Sequence, residues 1–150
     1  MKIRLATQED CKSIIEFQLG MAIETENLQL DFQTVKMGVE AVFIDPSKGK
    51  YFVAEDNSEM VGCLMITYEW SDWRNATIWW LQSLYVLPQW RNKGAFSLMF
   101  NFLKEQIQAL ENVCGLRLYV DQSNKNAQMI YAHLGMTDDH YRTFEWMKRF

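Results

Sequence analysis

Leu84-Tyr85-Val86-Leu87-Pro88-Gln89-Trp90-Arg91-Asn92-Lys93-Gly94-Ala95-Phe96 is the stretch on which the fold of this 150-residue chain turns. Upstream of it, Ala76 to Val86 is rich in strand-forming residues. The centre of that run, Thr77-Ile78-Trp79-Trp80-Leu81, has no polar alternation, as expected of a strand covered on both faces. Downstream, Ala95, Leu98, Met99, Phe102, Leu103, Ile107 and Leu110 recur at helical spacing and form an apolar stripe suited to packing on a sheet. A buried strand thus feeds a long helix through a basic loop that contains a glycine. A helix start leaves amide donors unpaired, and those donors with the positive end of the helix dipole attract an anion. Arg91 and Lys93 add charge beside it, and Gly94 permits a close approach to the backbone. Local physics reaches "phosphate or other anion" and stops, because such a junction also arises without any ligand.

Outward from this junction the chain alternates element types. Lys2 to Ala6 alternates at period two. Thr7 with Asp10 then reads as a helix cap ahead of Ile14, Ile15, Gln18, Leu19 and Ala22. A polar break around Glu24 to Asn27 precedes a second helix from Asp31 to about Phe43, ended by Asp45-Pro46-Ser47-Lys48-Gly49. Tyr51 to Ala54, a turn at Asp56-Asn57-Ser58, and Met60 to Trp70 read as a hairpin. Gly115 follows the long helix, Leu116 to Val120 is a short strand, Asn124 to Leu134 is a helix closed by Gly135, and Tyr141 to Met147 is a final strand. The expected order is β-α-α-β-β-β-α-β-α-β, an α/β sandwich in one domain spanning residues 1–150.

Composition narrows the function classes. A formal charge of -4 argues against a phosphate-backbone partner, which draws on clustered Lys and Arg. No apolar run approaches the length of a membrane span, and Met1 to Ala6 turns polar too soon for a signal peptide, so a cytoplasmic location is expected. Cys11, Cys63 and Cys114 are odd in number and far apart, which suggests neither a disulfide framework nor zinc. His133 and His140 are too isolated to form a metal site, and none is expected.

A second constellation is Asn124, Ala127 and Tyr131, at i, i+3 and i+7, which puts an amide and a phenol on one helical face. Taken alone, Tyr131 also fits a core aromatic whose hydroxyl reaches water. Together the two segments resemble the GNAT superfamily of N-acetyltransferases. Its signature of Arg or Gln, two residues, Gly, one residue, Gly or Ala maps onto Arg91 to Phe96, with Val86 and Pro88 as its lead-in. Its later Asn-x-x-Ala-x-x-x-Tyr-x-x-x-Gly pattern maps onto Asn124, Ala127, Tyr131 and Gly135. Phe96 departs from the pattern, standing where Gly or Ala is usual, and is expected to point into the helix-sheet core.

The resemblance implies a mixed, mostly antiparallel sheet of about six to seven strands flanked by about four helices, and acetyl-CoA as cofactor. It places coenzyme A on Leu84, Tyr85, Val86, Arg91, Asn92, Lys93, Gly94, Ala95, Phe96, Asn124, Ala127 and Tyr131. Amides near Tyr85 and Val86 would polarise the acetyl carbonyl, and Tyr131 would protonate the departing thiolate. Relatives that carry a Glu on the strand matching Ala76 to Val86 use it as base, but no carboxylate occurs there. The candidates left are Glu24, Glu26, Glu69 and Asp72, or a water chain ending on one of them. Glu69 is the leading one, because Tyr68-Glu69-Trp70-Ser71-Asp72-Trp73 interleaves aromatics and carboxylates as a cationic amine would require; a hairpin end with packed Trp residues reads the same way. The expected acceptor is a small-molecule amine such as a polyamine, amino acid or amino sugar. A binding module that retains the coenzyme site and a peptide acetyltransferase are the alternatives. Exposed strand edges and the Tyr141 to Met147 run allow a homodimer.

Overall fold

The computed structural model describes residues 1–148. They fall into two compact units, the first from Met1 to Tyr119 and the second from Val120 onward.

In the first unit, β1 (Lys2–Leu5), α1 (Cys11–Glu26), α2 (Phe32–Ile44), β2 (Lys50–Asp56), β3 (Glu59–Ser71), β4 (Ala76–Val86), α3 (Ala95–Ala109) and β5 (Val113–Leu118) succeed one another. The strands form one open sheet in the order β1-β2-β3-β4-β5, antiparallel except for the parallel pair β4 and β5. Alternation along β2 divides the core. Tyr51 and Val53 join Ile14, Ile15 and Phe17 of α1 and Val39 and Val42 of α2. Phe52 and Ala54 join Leu64, Ile66, Trp79 and Leu81 of the sheet and Met99 and Leu103 of α3. The sheet is therefore covered by α1 and α2 on one face and by α3 on the other, which is why the middle of β4 carries no polar alternation.

Several boundaries differ from those read in the sequence. Helix α1 continues through Glu24 and ends only at Asn27, which takes the left-handed conformation at φ 50°. Gly115 lies inside β5, opposite Ile78, so the strand starts earlier than expected, while α3 closes at Leu110, where the apolar stripe ends. The strand count is five among the described residues, not six to seven. The expected strand at Tyr141 to Met147 does not form. Its aromatic residues are strand formers only when they pack on a sheet face, and here Phe144 and Trp146 are 92% and 88% exposed. In the second unit α4 (Lys125–His133) is capped by Asn124, whose side chain accepts the Ala127 amide at 3.0 Å. Gly135 follows it at φ 87°.

The entry into α1 is fixed by charge. Asp10 accepts both Nη1 and Nη2 of Arg4 at 2.7 and 2.9 Å and the Thr7 amide at 2.7 Å, while Arg4 Nε donates to Glu55 on β2 at 2.7 Å. One guanidinium thus ties β1 to β2 and to the start of the helix. The Arg4 contact holds the Asp10 carboxyl below its ordinary pKa. A depressed folded-state pKa stabilises the fold above the unfolded carboxylate value, and that contribution is lost as pH falls through the folded value. Asp10→Asn should therefore cost about 1–3 kcal/mol of unfolding free energy near neutral pH. Denaturation followed across pH should show the gap to wild type closing below about pH 4.

Two irregularities shape β4. Between the pairs Met65↔Gln82 and Cys63↔Tyr85, the two residues Ser83 and Leu84 oppose the single residue Leu64. Ser83 takes φ 50°, so this is a bulge. Strict alternation from Leu81 would turn Tyr85 toward α3. With the extra residue Tyr85 instead packs on the α1 and α2 cluster, and Leu84 and Val86 pack on the α3 cluster. Opposite this stretch, a Cβ on Gly62 would stand 2.9 Å from the Tyr85 carbonyl oxygen. Gly62→Ala must push one backbone against another, and chemical denaturation should register a loss of about 1–3 kcal/mol.

Candidate active site

The second irregularity is a parting of strands. β4 pairs with β3 as far as Val86↔Gly62, but with β5 only as far as Leu81↔Leu118. From Gln82 to Val86 the β5-side edge of β4 has no strand partner among the described residues. That is an open run of backbone about 16 Å long. Leu84, Tyr85 and Val86 all lie on it, and the bulge at Ser83 sets the direction in which their amides and carbonyls point.

The edge runs directly into the loop. Pro88–Trp90 makes a single 3-10 turn, Arg91 is extended, and Asn92 and Gly94 take left-handed conformations at φ 59° and 81°. Gly94 is the N-cap of α3, and no side chain caps that helix. The first-turn amides therefore face an anion-attracting helix end, with Lys93 exposed beside them. Nothing lies within 4 Å of where a Gly94 Cβ would be. Phe96 packs on the α3 face of the core, 6.0 Å from the Phe100 ring, so its bulk sits away from the loop surface.

Arg91 is engaged by the protein itself. Its Nε donates to the Val86 carbonyl at 2.9 Å, Nη2 donates to Glu24 at 2.8 Å and Nη1 to the other Glu24 oxygen, and its guanidinium lies 5.5 Å from the Tyr85 ring centre. Arg91 pulls the Glu24 carboxyl below its ordinary pKa, and Glu24 raises that of Arg91. Tyr85 also packs on Phe17 of α1, at 5.4 Å between rings. The end of α1, the open end of β4 and the loop are thereby joined. Sequence separation hid this association of Glu24 with Arg91, and no motif signals it.

The other expected residues are dispersed. Glu69 stands opposite Ile78, at the far end of β4 from the bulge, where it accepts from Arg117 Nη1 at 2.6 Å and from the Trp80 indole. Those donors hold its carboxyl below the ordinary value. From Ile78 to Tyr85 along the strand is about 23 Å. Glu26 is exposed at the end of α1, and Asp72 is exposed in the turn after β3, where it accepts the Trp73 amide at 3.0 Å. Glu69 and Asp72 thus share the β3–β4 hairpin end, while Glu26 belongs to the end of α1. Asn124, Ala127 and Tyr131 share one face of α4 in the second unit, and burial pushes the Tyr131 phenol above its ordinary pKa. On the β4 face toward α1 and α2, the position nearest the bulge carries Gln82, whose amide donates to Thr67 at 2.7 Å. Sequence reading passed over this residue because it sought a carboxylate.

Comparison with known proteins accords with this geometry. The sequence model of the "Acetyltransferase (GNAT) family" matches residues 12–136. A structure from Clostridium difficile 630, described as a possible acetyltransferase, is 40% identical over 99% of this chain and 98% of its own, with a TM-score of 0.93. More distant structures share the fold. A predicted acetyltransferase from Clostridium acetobutylicum, solved with acetyl-CoA, has a TM-score of 0.73 at 14% identity, covering 96% of this chain and 95% of its own. A ribosomal-protein-alanine N-acetyltransferase from Brucella melitensis biovar Abortus 2308 has a TM-score of 0.72 at 15% identity, covering 99% and 98%. No curated protein matches significantly. With the family model spanning most of the chain and a relative of this identity along nearly its full length, the chain belongs to the GNAT acetyltransferase family, whose members are acyl-CoA-dependent acyltransferases.

Proposed function

We propose that this acyltransferase moves an acetyl group from acetyl-CoA to a primary amine of a small molecule by direct attack. The observation that carries the reading is the continuity of the open β4 edge at residues 82–86 with the uncapped start of α3. A pantetheine arm has amides to pair with such an edge, and a pyrophosphate has the charge for such a helix end. Leu84, Tyr85 and Val86 take the arm, and the backbone of residues 91–96 takes the pyrophosphate, with Lys93 as counter-charge. Asn124, Ala127 and Tyr131 are assigned to the coenzyme by the family motif alone.

In the reaction the neutral amine nitrogen attacks the acetyl carbonyl carbon, and amides of the β4 edge stabilise the developing oxyanion. The carbon–sulfur bond then breaks, and Tyr131 gives its proton to the departing thiolate. A phenol whose pKa is raised keeps that proton at neutral pH, as an acid must. The surplus proton of the amine goes to solvent. Glu24 and Glu69 both have depressed pKa values and are held by arginines, so they are weak bases. With no carboxylate in β4, the enzyme works on the neutral fraction of its acceptor. Its rate should climb with pH toward the acceptor's own pKa.

Tyr131→Phe should lower kcat by about 100-fold or more with little change in acetyl-CoA affinity. Gly94→Glu should do the reverse, weakening acetyl-CoA binding through a carboxylate placed at the helix start. Thiol release and calorimetry with acetyl-CoA measure the two effects. Acetyl transfer unchanged in both variants overturns the reading.

A further inference from the structure

The first unit holds a cleft of about 420 Å³ between α1, α2, β2 and β3, lined by Gln18, Val35, Gly38, Val39, Tyr51 and Met65 among others. Most of this wall is apolar, and Lys48 is the one charged residue among those lining it. Gln18 is only 8% exposed, and its one side-chain hydrogen bond is a donor contact to the Cys63 sulfur at 3.7 Å. Sulfur is a weak acceptor, so the amide retains capacity for a better partner. Tyr51 is 5% exposed, and burial pushes its phenol well above the tyrosine range, which keeps it uncharged. Lys48 is paired with Asp45, which does not line the cleft, and no carboxylate lines it.

The cleft is linked to the parting of the sheet. Cys63, which receives Gln18, pairs across the strands with Tyr85, and its sulfur lies 3.9 Å from the Ser83 carbonyl oxygen at the bulge. Buried Cys63 therefore bridges the cleft lining and the bulge at Ser83, beside the backbone where acetyl transfer is assigned. Gly38 adds a separate sign. It stands in the interior of α2, where glycine weakens a helix, and nothing lies within 4 Å of where its Cβ would be. A side chain here would strengthen the helix at a residue that lines the cleft.

We propose that this cleft receives the body of the acceptor, and that the acceptor is a monoamine on an uncharged, largely apolar body rather than a polyamine. The proposal rests on the acetyltransferase reading for its link to catalysis, but not for binding. A second ammonium seated here would be desolvated against apolar walls with no carboxylate to receive it. An aromatic or aliphatic body instead buries apolar surface, and a hydroxyl or carbonyl on it finds the Gln18 amide or the Tyr51 phenol.

The test uses phenylethylamine and diaminobutane as probes on the full chain loaded with coenzyme A, with binding followed by calorimetry and turnover by thiol release from acetyl-CoA. Phenylethylamine should bind more tightly than diaminobutane. Gly38→Leu should weaken phenylethylamine by about tenfold or more while leaving acetyl-CoA affinity and the melting temperature intact or raised. Gln18→Glu should shift preference toward diaminobutane. Preference of the wild-type protein for diaminobutane, or equal phenylethylamine affinity in wild type and Gly38→Leu, overturns the proposal. Gly38-sensitive binding without turnover of any amine keeps the cleft assignment and sinks the acetyltransferase reading, so the two fail separately.

Discussion

The first unit is organised around unequal pairing of one strand. β4 is bonded to β3 along nearly its whole length but to β5 over only its first half. Backbone amides and carbonyls removed from water need partners, so an open stretch inside a sheet persists only where solvent or a ligand supplies them. The bulge at Ser83 gives that stretch its geometry. It reverses the alternation, sending Tyr85 toward α1 and leaving Leu84 and Val86 on the α3 side. The close approach of Gly62 to the Tyr85 carbonyl holds β3 and β4 together where β5 has left.

Charge then connects this open edge to its surroundings. Arg91 bonds backwards to the Val86 carbonyl and sideways to Glu24, and its guanidinium carbon lies 5.5 Å from the Tyr85 ring centre. The family motif alone would present this arginine as a direct phosphate ligand. In the structure its bonds to the Val86 carbonyl and to Glu24 also set the loop against the end of α1. An exposed ion pair contributes little stability, about 1 kcal/mol or less, and the value of this one lies in geometry. The Arg4 cluster plays the corresponding part at the opposite end of the fold, tying β1, β2 and the start of α1 with one guanidinium.

Much of this was legible in the residues. The unalternated centre of β4 announced a strand with both faces covered, and the stripe from Ala95 to Leu110 announced the helix on one of them. Gly94 and the basic loop marked the helix start. The rest depended on partners remote in sequence. Gly115 reads as lying outside the strand that begins at Leu116 until β4 is known to lie beside it. Nothing in Gln82-Ser83-Leu84 distinguishes a bulge from an ordinary strand, because a bulge is a property of two strands. Glu69 had the right company in sequence, but Arg117, 48 residues away, takes its carboxylate. Strand propensity at Tyr141 to Met147 likewise says nothing without a sheet edge to pair with.

The central claim is that the unpaired edge of β4 and the uncapped start of α3 together hold acetyl-CoA. Backbone amide exchange, followed residue by residue with and without acetyl-CoA, tests it most directly. The account predicts slowed exchange concentrated at residues 84–86 and 92–97, reporting amides that have gained acceptors from the ligand. Unchanged exchange at both segments under saturating acetyl-CoA, with protection appearing elsewhere, would contradict it.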